Sequence, residues 1–218
     1  PNFNNLHKSE LLVVATQDGT QVQITPSVNT LSGNTAGVPF LVNLNAGQSY
    51  QIQAATDVLD LTGTLVEATE VSGTCRPFVV IGGSMCATVP GACQACDAIF
   101  EQLVPITAWG TRYYTAPILG VNTSTYRVLA HSNGTSVTIN GGAPILLNAG
   151  QRHEVNGSTA PVCIQASLPV SVVQLLEGYS CAGSGDPSLL LVSPADRLST
   201  QATWNTSTSS QVTQRSVS

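Results

Sequence analysis

The sequence predicts an all-β protein made of tandem antiparallel β-sandwich-like repeats. Three features point to it. Apolar residues recur with period two in short runs, and helical periodicity is nearly absent. Gly-centred turn signals punctuate those runs. Three blocks of the first half also recur, in the same order, in the second half. β-Propeller-like blades are the alternative arrangement. A copy of about 75–90 residues with six or seven strands favours a sandwich.

Residues 10–16, ELLVVAT, are a continuous apolar run and predict a buried strand. Asp18-Gly19 is a hairpin signal. In residues 21–25, Val22 and Ile24 face one way and Gln21 and Gln23 the other, the pattern of a half-buried strand. Residues 26–39 are rich in Pro, Ser, Asn and Gly and read as a loop. Residues 40–44 form the next strand. Asn45-Ala46-Gly47 turns it into 49–54, where Tyr50 and Ile52 point inward. Residues 58–64 and 77–82 are further apolar segments. Residues 96–103 hold the one candidate helical turn, which ends before Pro105.

The order then repeats. ELLVVATQDGTQVQI (10–24) corresponds to TYRVLAHSNGTSVTI (125–139), and LVNLNAGQSYQI (41–52) to ILLNAGQRHEV (145–155). RPFVVIGGSMC (76–86) corresponds to LPVSVVQLLEGYSC (168–181) with a shift of three residues. The first copy carries the longer loops, as tandem modules with variable connections do. These matches divide the chain into a first repeat over 1–102, a second over 103–185, and a remnant over 186–218. The second repeat opens on a strand block, LVPITAWGTRYYTAPI (103–118), that the first lacks. LLVSPADRLSTQATWNTS (190–207) resembles that block. Residues 186–218 are therefore expected to pack on the first repeat of a neighbouring module, against a bare 10–25 edge, by strand addition. The neighbour is either another subunit in a head-to-tail filament or an adjacent stretch of a longer polypeptide.

Composition limits the functions available. Charged residues are 9% of the 218, where about a quarter is usual. Net charge is −5, and the seven Lys and Arg are scattered singly. No basic stripe exists to neutralise phosphates, so nucleic acid is not an expected partner. No apolar run reaches the roughly 20 residues a membrane-spanning helix needs. The chain opens on Pro1 without an initiator Met, which reads as a processed or mature form. Six cysteines with so little charge suit an oxidising compartment, hence a secreted or cell-surface location. Cys93-Gln94-Ala95-Cys96 could also be read as half of a zinc site or as a redox pair. A second CxxC is missing, His131 and His153 stand alone, and the motif lies in a Pro/Gly-rich loop rather than at a helix start. Disulfides are expected, with no metal and no cofactor.

The residues from 77 to 114 carry a family resemblance. PFVVIGGSMC, then Cys96, then FEQLVPITAWGTRYY resembles the amino-terminal region of the IgG Fc-binding protein family of mucus and of large surface proteins. The match falls on Cys86, Cys96, Glu101, Gln102, Leu103, Pro105, Trp109 and Gly110. It extends more weakly through TYRVLAHSNGTSVTI and GDPSLLLVSPADR (185–197). Here the loop between the cysteines is longer and holds an extra Cys93, and Asp97-Ala98 stands where the family often has a His. The resemblance implies an extracellular structural or binding module, with Cys86 bonded to Cys96. Cys163 and Cys181 would then staple the last strands of the second repeat, and Cys75 and Cys93 remain as a pair.

Among the other candidates, Glu101 is expected as a buried carboxylate hydrogen-bonded to loop N–H groups, and Trp109 as a core residue. His153 and Glu154 have opposed side chains on a strand and make no catalytic pair. No GxSxG elbow occurs, and Asp57 and Asp60 lack metal-loop spacing. Asn122, Asn133, Asn156 and Asn205 lie in N-x-S/T sequons. No enzyme is expected. The leading expectation is a structural or adhesive surface module whose partners are its own copies or adjacent modules. The second is a recognition module for a host protein or a glycan, for which Tyr113, Tyr114 and Tyr179 are the loop-borne candidates.

Overall fold

Turn chemistry and period-two patterning place fourteen strands along residues 7–71 and 73–197, the residues that the computed structural model describes. The first repeat contains β1 (Ser9–Ala15), β2 (Thr20–Thr25), β3 (Phe40–Leu44), β4 (Ser49–Gln53), β5 (Leu65–Ala68), β6 (Phe78–Ala87) and β7 (Asp97–Gln102). The second contains β8 (Gly110–Tyr114), β9 (Ser124–Ala130), β10 (Thr135–Ile139), β11 (Ile145–Leu147), β12 (Arg152–Ser158), β13 (Cys163–Leu176) and β14 (Ser188–Leu191). The helical pieces are one short helix, α1 (Tyr179–Ala182), and 3-10 turns at Ile106–Ala108 and Ala195–Arg197.

In the first repeat, β4-β1-β6-β7 form one antiparallel sheet and β3-β2-β5 a second. Leu11, Val13 and Ala15 of β1 meet Val22 and Ile24 of β2, Val42 and Leu44 of β3 and Ile52 of β4 in one core. The second repeat reproduces both layers, but β13 is long enough to serve each. Its first half pairs with β10 and β8, and its second half with β9 and β14. Tyr113, Tyr126, Val128, Val137, Ile164 and Val172 fill that core. β5 and β6 together therefore correspond to β13, and β7 corresponds to β14. The strands close into no propeller.

Four expectations need correction. Residues 97–102 are a strand, not a helical turn. Gly82 and Gly83 of β6 leave bare backbone that Leu103 and Phe100 cover, so this segment gains more as an edge strand than as an isolated turn. Residues 58–64 lie in the β4–β5 loop, where Leu61 enters the core and Leu59 packs against it. The 10–25 region has no bare edge, because β1 lies between β4 and β6, and β2 between β3 and β5. Finally, residues 188–191 of the expected docking block pair with β13 of their own repeat, since the outer edge of β13 is where their backbone groups find partners. Residues 198–218 of that block lie outside the described residues.

Candidate functional site

The densest polar chemistry of the chain lies where the two repeats meet. Arg127 projects from β9 on the face of the sheet opposite the core. Its counterpart in the first repeat is Leu12. Arg127 contacts Asp60 of the β4–β5 loop at 3.0 Å and Glu154 of β12 at 2.7 Å. Arg152 reaches the same Asp60 oxygen at 3.3 Å. Thr62 accepts a bond from Arg127 at 2.9 Å, and its N–H and hydroxyl donate to Asp60 at 2.8 and 2.7 Å. Burial alone would raise the Asp60 carboxyl. Arg127, the two Thr62 bonds and Arg152 outweigh it and hold the carboxyl below its ordinary value. The loop is pressed close to the second repeat: a Cβ on Gly63 would lie 2.5 Å from the Gly150 carbonyl oxygen.

A covalent tie closes the other end of the junction. Cys93, in the loop after β6, is bonded to Cys181 on α1, 88 positions away. Around it Gly178 N–H donates to Val89 O at 2.9 Å, and Gln94 N–H to the Ser180 hydroxyl at 2.6 Å. Gly178 admits the Gln94 carbonyl where any side chain would collide with it. Beneath the disulfide lies Glu177, 1% exposed. It accepts bonds from Thr123 at 2.5 Å, Thr125 at 2.8 Å and the Gly157 N–H at 3.0 Å. Cys93, Glu177 and Cys181 bring three ligand-type atoms together, but the two sulfurs are spent on each other and offer a metal no thiolate.

The residues singled out in the sequence border this junction. Cys86 is bonded to Cys96 across the β6–β7 connection. The other two expected pairs are corrected. Cys181 takes Cys93, leaving Cys75 as an exposed thiol and Cys163 as a half-buried one. Cys163 begins β13 and faces Tyr114 of β8, far along the strand from α1, so it cannot meet Cys181 without unmaking the sheet. Glu101 stands opposite Gly82 on β7, half-buried, and its carboxylate accepts no bond from a described residue; the buried carboxylates are Glu10 and Glu177 instead. A strand lends its N–H groups to its neighbour strand, which leaves none for Glu101. Gln102 is exposed, and Leu103 rests on Gly82. Pro105 precedes the 3-10 turn at 106–108.

Trp109 is half-buried rather than in the core. It sits edge-on to His131 at 6.3 Å, with its indole N–H directed at Val104 O at 3.4 Å. Gly110 lies against Pro194 and Asp196, where a Cβ would come within 2.4 Å of Pro194. Tyr113 is buried, with its hydroxyl donating to Val170 O at 2.5 Å, while Tyr114 and Tyr179 are exposed. Sequence reasoning missed Arg127 and Glu177, and weighed Asp60 only as a metal ligand. The available signal was Arg127 itself, a cation in the strand block where the first copy has Leu12.

Comparison with known proteins points to one family. A family model described as IgGFc binding protein matches residues 1–217. The human IgGFc-binding protein is 28% identical over 145 residues, covering 65% of this chain. The chain spans 2% of the length of that relative. No solved structure matches.

Proposed function

We propose that this chain, which belongs to the IgGFc binding protein family, is an extracellular structural β-repeat module that works by joining rigidly, end to end, to further repeats. The observation that carries the proposal is the junction between its own two repeats. A disulfide at one end and a shared Asp60–Arg127–Arg152 cluster at the other hold them in one relative orientation. A junction clamped at two points fixes the angle at which one repeat follows the next. Two bonded cystine pairs suit a secreted setting. Attachment to a cell surface, adhesion, and head-to-tail assembly by strand addition are parts of the proposal.

Sedimentation of the oxidised full chain over a wide concentration range tests it. Reversible association into elongated species is expected, and a strict monomer at every concentration would overturn it. A second reading, recognition of a protein or a glycan, is favoured by the exposed Tyr114 and Tyr179 and by the printed name of the human relative. Saturable binding of immobilised Fc or of a glycan array that is lost with Tyr114→Ala and Tyr179→Ala, together with no self-association, would favour it over the first.

A further inference from the structure

Among the described residues, two surfaces of the first repeat stand open where the second repeat is covered, one by β8 and the other by the Asp60–Thr62 loop of the first repeat. The first surface is an edge. β8 leaves the first repeat after the 3-10 turn at 106–108 and pairs with the first half of β13, Tyr113 opposite Ile164 and Tyr114 opposite Cys163. The counterpart of that half-strand is β5. β2 pairs Val22 with Ala68 and Ile24 with Val66, as β10 pairs Val137 with Ala166 and Ile139 with Ile164. Among the described strands, β5 has β2 on one side and nothing on the other. Burial follows the difference: Ile164, beside β8, is 0% exposed, whereas Val66 is only half-buried.

The second surface is the outer face of the β4-β1-β6-β7 sheet. In the second repeat the matching face carries Arg127 and Arg152 and receives the Asp60–Thr62 loop. In the first repeat it carries Leu12 opposite Ile81, Val14 opposite Val79, and Phe100, 46% exposed, opposite Gly83. Leu12, Ile81 and Phe100, with Leu11 and Gln51, line a depression of about 360 Å³ with Glu10 in its wall. The Glu10 carboxylate is already held by Gln51 and Gln53, so what the face presents to a partner is apolar.

We infer that β5 and this apolar face are the acceptor for the carboxyl-terminal end of a second copy of the chain, whose residues after Arg197 add to β5 as β8 adds to β13. The inference rests on the module reading above and names its partner. The donor is identified by repetition. β7, Pro105 and the turn 106–108 precede β8. β14, Pro194 and the turn 195–197 repeat that sequence of elements, including the turn-closing bonds from Ala108 N–H to Pro105 O at 2.8 Å and from Arg197 N–H to Pro194 O at 3.0 Å. In sequence, aligning the turns sets Ala202 at the place of Tyr113 and Thr203 at the place of Tyr114, and Tyr113 and Tyr114 lie beside Ile164 and Cys163, the counterparts of Val66 and Leu65. An added strand gives backbone bonds to a bare edge and covers Val66, which are the two things β5 lacks.

The test uses full-length chains in a Cys75→Ser, Cys163→Ser background, which leaves the two disulfides intact. One variant carries Leu65→Cys and another Thr203→Cys. Oxidising the mixture is expected to give a cross-linked dimer that neither variant gives alone. With both substitutions in one chain, the cross-links should still run between chains and build a ladder of oligomers. Association without the 65–203 cross-link would overturn the acceptor while leaving the module reading intact. A cross-link formed only within single chains would overturn the second copy as donor. Absence of both association and cross-link would overturn both.

Discussion

At the scale of single residues, two carboxylates set the junction and neither belongs to the family motif. Asp60 is held ionised by two guanidinium groups and Thr62. Its carboxyl titrates lower in the folded chain than in the unfolded one. The stability it adds is therefore present at pH values above the unfolded value. That contribution is lost as pH falls through the lower folded one. We predict that Asp60→Asn costs about 1 kcal/mol near neutrality, the scale of a partly exposed ion-pair cluster. The difference from the parent should vanish in urea melts well below pH 3–4 and stay constant above about pH 5. A difference that grew on acidification would contradict the assignment. Glu177 is the opposite case, almost wholly buried and satisfied by three donors. Replacing it with Leu takes the acceptor from the Gly157 N–H and the Thr123 hydroxyl, while Thr125 keeps Asn156, and the expected cost in chemical denaturation is about 2–3 kcal/mol. A cost under about 0.5 kcal/mol would mean that water replaces the carboxylate. Such residues were poorly legible in the sequence, because an acid in a loop looks the same whether its cation lies beside it or 67 positions away. Gly110 was legible through the family motif, and its reason is steric: Pro194 leaves no room for a side chain.

At the scale of elements, alternation and turn residues located nearly every strand of the two sandwiches, since each needs one buried face and a Gly-bearing turn. What they could not rank was a short segment with neither cue. Residues 97–102 have no period of their own, and their strand form comes from β6, whose Gly82 and Gly83 offer a surface to be covered. The cysteine pairing failed for a related reason. Spacing along the chain says nothing of which loop folds over which, and the extra Cys93 that sets this chain apart is the one that crosses to the next repeat. The two bridges are thereby distinguishable. In the loop-entropy account, closing 88 positions contributes ~4–5 kcal/mol and closing 10 only ~2–3. Cys93→Ser with Cys181→Ser should split calorimetric unfolding into two transitions, one for each repeat. Cys86→Ser with Cys96→Ser should lower the first repeat alone. A single cooperative transition in the first double variant would show that the Asp60 cluster suffices to couple the repeats.

At the scale of the whole molecule, the duplication was legible because both halves bury the same strand order, but the difference between their outer faces was not. The two outer faces differ at matched positions: Leu12 against Arg127, and Gln51 against Glu154. Among the described residues, only the second face receives a loop of the other repeat. This exchange makes a test that leaves packing alone. Leu12→Arg writes the guanidinium of Arg127 onto the first repeat, at a position whose cross-strand register matches the original, and leaves Gln51 bonded to the Glu10 carboxylate. The new side chain projects from the outer face, away from the core that Leu11 and Val13 fill. Stability should therefore change by less than ~1 kcal/mol. The apolar depression between Leu12, Ile81 and Phe100 would become ionic, and an uncharged partner would have to desolvate a guanidinium without supplying the carboxylate that Asp60 supplies in the natural junction. Self-association of the Leu12→Arg variant, measured by sedimentation beside the parent, is expected to disappear while its melting temperature is kept. If association persists unchanged, the apolar face plays no part in joining copies, and strand addition at β5 must account for it alone.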